Sequence, residues 1–138
     1  SLAKKIYISM THGDYSDANI LITNKTNFAN NVILIDWEYC KKRFILYDFL
    51  VFKFKSRLLY EFRKNVNNFL KTSISFSKQE SFLIENYCAN FSYKEILAIF
   101  LLEDLNVRIK ENKIPNLVKI NRDFIYYLKE INYIVNFL

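Results

Sequence analysis

Glycine and proline are almost missing, with one of each in 138 residues. Sandwiches and barrels are joined by many tight turns that draw on both residues. Their scarcity therefore argues against an all-β fold and in favour of helices. Histidine and tryptophan also occur once each. One histidine and two distant cysteines, Cys40 and Cys88, offer neither zinc-ligand spacing nor a disulfide framework. Two plain thiols suit a reducing cytosol, so a cytoplasmic protein is expected, with Cys40 inert. No segment reaches the ~18 uncharged apolar residues of a membrane span. The oiliest stretch, Phe44 to Phe54, contains Asp48 and Lys53. No secretory leader is visible. The chain opens on Ser1 rather than Met, so the polypeptide is expected to start further upstream.

Apolar residues make up 51% of the chain and aromatic residues 17%. That is enough to build a core, and it rules out a disordered tail. The length suits a single domain over 1–138. The formal charge is +6, but apart from Lys41-Lys42-Arg43 the basic residues are scattered. We read this as a solvated surface and expect no nucleic-acid partner.

Ile6 to Met10 is the end of a helix or a short strand. His12 to Asn19 reads as a loop. Ile20–Thr23 and Val32–Ile35 are β-branched and brief, as strands are. The polar run from Asn24 to Asn31 is the turn that joins them into a hairpin. That hairpin brings the loop holding Asp14 within reach of Asp36, at the end of the second strand. Phe44 to Lys64 then follows a helical rhythm. Ser77–Glu80 and Ser92–Glu95 are capping boxes, the second with a Phe91–Ile96 staple. Ile114-Pro115 breaks the pattern. Asn121 can cap a last helix with Phe124, Leu128, Ile131, Val135 and Leu138 on its packed face. The fold class is α+β, mostly α.

Asp14, Asn19 and Asp36 are the residues that can carry chemistry. Phosphoryl transfer requires little covalent work from a protein. It needs a carboxylate to orient and deprotonate the acceptor hydroxyl, and oxygen ligands for Mg²⁺. Mg²⁺ takes one or two protein carboxylates and fills its shell with water and phosphate. Asn19 offers a neutral oxygen and Asp36 a charged one, which leaves Asp14 to face the hydroxyl.

His12-Gly13-Asp14 with Asn19, an apolar strand, and Ile35-Asp36-Trp37-Glu38 together resemble the aminoglycoside phosphotransferase and choline kinase group, a branch of the protein-kinase-like fold. The resemblance runs from about Ile8 to Phe52. It implies a C-terminal kinase lobe, with a catalytic-loop hairpin backed by a helical bundle. It also implies ATP- and Mg²⁺-dependent phosphorylation of a small-molecule alcohol: choline, ethanolamine, an aminoglycoside or a sugar. On that resemblance Asp14 is the catalytic base and Asn19 and Asp36 are the metal ligands. His12 supports the loop, and Asp48, in Tyr47-Asp48-Phe49, helps to hold it. Ile35 to Tyr39 looks like the choline-kinase side of the group, and His12-Gly13-Asp14 like the aminoglycoside side.

Such an enzyme also needs an N-terminal lobe, with a loop over the phosphates and a lysine–glutamate pair. Only eleven residues precede His12, and the single glycine cannot form a glycine-rich loop. The N-terminal lobe is therefore expected to be missing from this chain, and the chain alone to be inactive. The alternative is a non-catalytic lobe: a protein-interaction module or pseudokinase.

Several residues keep two readings. Trp37 and Tyr39 either cage a quaternary ammonium by cation–π attraction or pack into the core. Glu38 binds a substrate amine or caps its turn. Glu103-Asp104 lines a pocket for a cationic acceptor, or is a pair of solvated helix charges. Asp48, if buried, needs a backbone amide or Arg43 as partner.

Overall fold

A computed structural model describes residues 4–23, 32–71, 76–111 and 122–136. The turn at Asn24–Asn31, Ile114-Pro115, Asn121 and Leu138 lie outside the described residues.

Two small antiparallel ribbons are nested one inside the other. The inner one is the expected hairpin: β2 (Ile20–Ile22) pairs with β3 (Val32–Leu34), Ile20 opposite Leu34. The segment before it is a strand rather than a helix end. This β1 (Ile8–Thr11) pairs with β4 (Lys41–Phe44), so that Ile8 faces Phe44 and Thr11 faces Lys41. The basic run at Lys41-Lys42-Arg43 thus lies in a strand. Short 3-10 turns at Asp17–Asn19 and Trp37–Tyr39 lead into the inner hairpin and out of it.

Phe44 to Lys64 is not one helical stretch. Phe44 closes β4, and the helical part divides into α1 (Tyr47–Phe54) and α2 (Leu59–Leu70). The break is a left-handed cap. Lys55 adopts φ 49°, its N–H donates to Phe52 O, and Ser56 N–H donates to Val51 O at 3.1 Å. This is the double bond pattern by which a helix satisfies its last carbonyls. Glycine usually fills that position. Here a lysine does, at a strain of about 1–2 kcal/mol.

Both capping boxes form. Ser77 and Glu80 exchange bonds at the start of α3 (Lys78–Cys88), and Ser92 and Glu95 do so before α4 (Tyr93–Glu111). Ile96 is fully buried, and Phe91 packs against the core.

Phe54 is the hub of that core. Its ring meets Phe62, Phe69 and Phe100 edge-on, with centroids at 6.4, 5.1 and 5.2 Å, tying α1, α2 and α4 together. Phe62 stacks on Tyr127, which brings in α5 (Arg122–Val135). Each such buried side chain stabilises the fold by about 1.5–3 kcal/mol.

α5 is rotated relative to the expected face. Phe124 is buried and Ile131 packs against the core as expected, but Tyr127, Glu130 and Ile134 are buried beside them, whereas Leu128 and Val135 are exposed. Polar partners account for the rotation. Arg63 of α2 grips Glu130 with two bonds of 2.6 and 2.8 Å, and Tyr127 donates its hydroxyl to Asp104 at 2.6 Å.

Asp104 overturns the reading of a solvated charge. It has 0% exposure and accepts from Tyr47 Oη, Tyr127 Oη and Arg108 Nε. Burial pushes its carboxyl up. The charges of Arg108 and Arg57 and the two phenol bonds more than offset this, leaving it below the ordinary range. Tyr47 and Tyr127 are both raised, first by burial and then by the charge of Asp104. Glu103 is not a free charge either, since both its oxygens accept the Phe44 N–H at 3.2 Å. Among the described residues, no helix is long and apolar enough to cross a membrane.

Candidate functional site

The loop from His12 to Asn19 is held from below by one side chain. Asp48, on the first turn of α1, accepts the N–H of His12 at 2.6 Å and of Gly13 at 2.9 Å. Two amides pointing at one carboxylate are charge-assisted bonds, stronger than neutral ones. Backbone thus meets the need that burial creates. Arg43 serves elsewhere, donating to Thr11 Oγ1 and Tyr39 O.

His12 is 2% exposed, and its ring spans the gap between the two halves of the site. Nδ1 accepts from Asp14 N–H at 3.3 Å, which places the ring proton on Nε2, 2.7 Å from Ile35 O. One imidazole therefore ties the residue carrying Asp14 to the strand end just before Asp36. Its edge also packs on Trp37, with centroids at 4.7 Å.

Gly13 between them is a necessity of space. Its φ is +90°, and a Cβ there would lie 2.6 Å from Tyr39 O and 2.9 Å from Arg43 Nη1. The chain's only glycine stands where no side chain fits.

Asn19 is buried and turns its amide to Asp14. Nδ2 donates to both the backbone oxygen and Oδ2 of Asp14, each at 2.9 Å. Ile35 N–H donates to Asn19 O at 3.0 Å, drawing the hairpin's end to the same place. Asp36 follows at φ 64°, a left-handed turn that aspartate tolerates better than most residues. Asp14 and Asp36 line one pocket of about 370 Å³, together with Glu38, Tyr39, Arg57 and Arg108. Asn19 is not among the lining residues and meets the site through its bond to Asp14.

Comparison with protein-family models, curated proteins and solved structures gives no match.

Two arginines in this pocket carry no sequence signal. Arg57 sits just after the left-handed cap. Its Nε is 2.8 Å from Asp14 Oδ1, and its Nη2 donates to Gly13 O at 2.8 Å. Arg108 comes from α4, where it also holds Asp104 and donates to Ser56 O. Only the folded chain brings either to the loop.

The donor set suits a small hard cation. Asn19 uses Nδ2 on Asp14, and among the described residues no donor occupies its Oδ1 or the carboxylate of Asp36. An amide oxygen and a carboxylate are ligands that Mg²⁺ accepts. No group of three or more His, Cys, Asp and Glu that could hold a metal ion is found among the described residues.

The remaining candidates sit around the rim. Trp37 is half exposed rather than in the core, and donates Nε1 to Leu34 O. Tyr39 is half-buried and lines the pocket. Glu38 is exposed at the pocket edge. Cys40 is half-buried and Cys88 buried, both as free thiols.

Proposed function

We propose that this chain is the catalytic-loop lobe of a phosphotransferase that moves the γ-phosphoryl group of ATP to the hydroxyl of a small molecule. One observation carries the reading: Asp14 and Asp36 line a single pocket, with Asn19 bonded to Asp14. A base next to two oxygen ligands is the set that this chemistry uses.

In this reading the acceptor oxygen attacks the γ-phosphorus as its proton passes to the Asp14 carboxylate. The new O–P bond forms as the bond from the γ-phosphorus to the β,γ-bridging oxygen breaks, and ADP leaves. Asn19 Oδ1 and Asp36 would hold Mg²⁺, which when bound neutralises phosphate charge. Arg57 and Asn19 fix the Asp14 carboxylate from two sides, so its orientation is set before the acceptor arrives. His12 and Asp48 keep the loop and the hairpin end together. The reading calls for a nucleotide-covering lobe outside these 138 residues, and the chain alone should not turn over.

A second reading draws on one observation of its own. Both oxygens of Asp14 are already engaged, one by Arg57 and one by Asn19, as suits a lobe that keeps the fold and works by protein contact. Titration of the isotope-labelled chain with Mn²⁺ separates the two. The phosphotransferase reading expects paramagnetic broadening centred on Asp14, Asn19 and Asp36 that is lost in Asp36→Asn. Broadening confined to other carboxylates, or unchanged in Asp36→Asn, supports the non-catalytic lobe.

A further inference from the structure

A second concavity of about 320 Å³ opens between β4 and α4 and shares Glu38 and Tyr39 with the pocket of Asp14. Its walls carry Lys41, Lys42, Arg43 and Lys110 against two carboxylates. One of these, Glu103, is turned onto the Phe44 amide. The other, Glu38, stands at the junction of the two pockets.

Three lysines elsewhere on this surface pair with acids: Lys4 with Glu95, Lys53 with Glu80, Lys55 with Glu61. Lys41 and Lys110 instead face each other. The nearby ammonium of Lys41 holds Lys110 below its ordinary value, with Arg43 adding to the effect. Arg43 itself is 8% exposed and bonded to a hydroxyl and a carbonyl, and among the described residues the Glu103 carboxylate in the same wall is the one acid that feels its charge, which leaves the lysines of this pocket uncompensated. Like charges this close repel unless an anion lies between them. Converging ammonium groups act as point charges, which suits a tetrahedral oxyanion that accepts from several directions. The concave shape fits a small molecule better than a nucleic-acid backbone, which needs an extended basic track.

Two of the acids expected to recognise a cationic acceptor are meanwhile diverted. Asp104 is sealed in the core and Glu103 is tied to backbone.

We propose that the β4–α4 pocket is a subsite for a phosphate monoester. Resting on the phosphotransferase reading, it seats the phosphate of a phosphorylated polyol whose free hydroxyl reaches Asp14 in the adjoining pocket. The acceptor class is thus anionic.

Binding can be tested without turnover, on the labelled chain at constant ionic strength. Glycerol 3-phosphate should give saturable shifts at Lys41, Lys42 and Lys110, and glycerol or choline at equal concentration should give none. Lys41→Gln with Lys110→Gln should weaken glycerol 3-phosphate at least tenfold. Lys41→Arg with Lys110→Arg should hold it within about threefold. All four substitutions are at exposed positions, so melting curves should barely move. Binding by the Gln pair within twofold of the parent overturns the subsite, as does saturation of this pocket by choline. Inorganic phosphate binding tenfold tighter than glycerol 3-phosphate overturns the monoester assignment. The Mn²⁺ experiment is independent. Phosphate binding here without broadening at Asp14 keeps the subsite and sinks the phosphotransferase reading, and the reverse pattern sinks the subsite alone.

Discussion

Replacing Asp48 with Ala removes the acceptor for two amides at once. His12 is 2% exposed and Gly13 is buried, so neither N–H can readily turn to water. A hydrogen bond to a charged acceptor contributes about 1.5–3 kcal/mol, and there are two. Asp48 is only half-buried, so solvent can partly fill the space it leaves. That reduces the sum of about 3–6 to about 2–4 kcal/mol in total. At roughly 4 °C per kcal/mol for a domain of this size, the melting temperature should fall by about 8–16 °C. If the loop opens on its own before the core melts, the loss appears instead in hydrogen exchange. The amides of His12 and Gly13 should then exchange roughly 30- to 700-fold faster, at 1.4 kcal/mol per tenfold. Asp48→Asn keeps one acceptor oxygen and should fall between parent and Ala. A melting shift under about 2 °C with protection at both amides unchanged would refute the idea that this carboxylate clasps the loop.

Gly13→Ala should destabilise by more than 1 kcal/mol, because the new Cβ meets Tyr39 O at 2.6 Å; denaturant melts would show it, and a neutral result would mean that the loop has another path. Lys55→Gly should stabilise by up to about 1 kcal/mol, since glycine releases the strain at φ 49°; an unchanged or lower midpoint in urea would contradict this. Burial raises the Cys88 thiol from its ordinary 9.0 to about 11, so at pH 8 a thiol reagent should label Cys40 and spare Cys88 until the chain unfolds. Because Cys88, Tyr47 and Tyr127 all hold their protons more tightly when folded, their contribution is complete below their unfolded values. It drains away as pH rises above about 9, so stability measured by denaturant should decline on the alkaline side. Glu80 and Glu95 act in the opposite sense. Burial raises Glu80, but the Ser77 amide and Lys53 bring it below normal; Lys4 and Ser92 hold Glu95 at about 2. Their contribution is present above the ordinary carboxylate range and lost as pH falls through it.

The inner hairpin and both capping boxes were legible in the sequence because each rests on neighbours in the chain. Asp14, Asn19 and Asp36 were legible as a set because a short hairpin must bring its two ends together. What escaped notice depends on partners far away. Asp104 looks like any helix charge until Tyr47 and Tyr127, 57 and 23 residues distant, supply their hydroxyls. The inner face of α5 cannot be read by counting apolar residues, since Glu130 belongs to it only with Arg63 opposite. The stop after α1 has no glycine or proline to announce it. β4 reads as a basic tract until β1 pairs with it, and Arg57 reaches Asp14 only by way of that unannounced stop.

Arg108 belongs to two places at once. Its guanidinium neutralises Asp104 within the helical core, and the same side chain forms part of the wall of the Asp14 pocket. Selection for folding alone would preserve a cation there, with or without any reaction. An unchanging arginine at this position across descendants would therefore say little about turnover, whereas a change of Asp36 to asparagine or glycine, which keeps the left-handed turn and discards the carboxylate, would speak against the proposed chemistry.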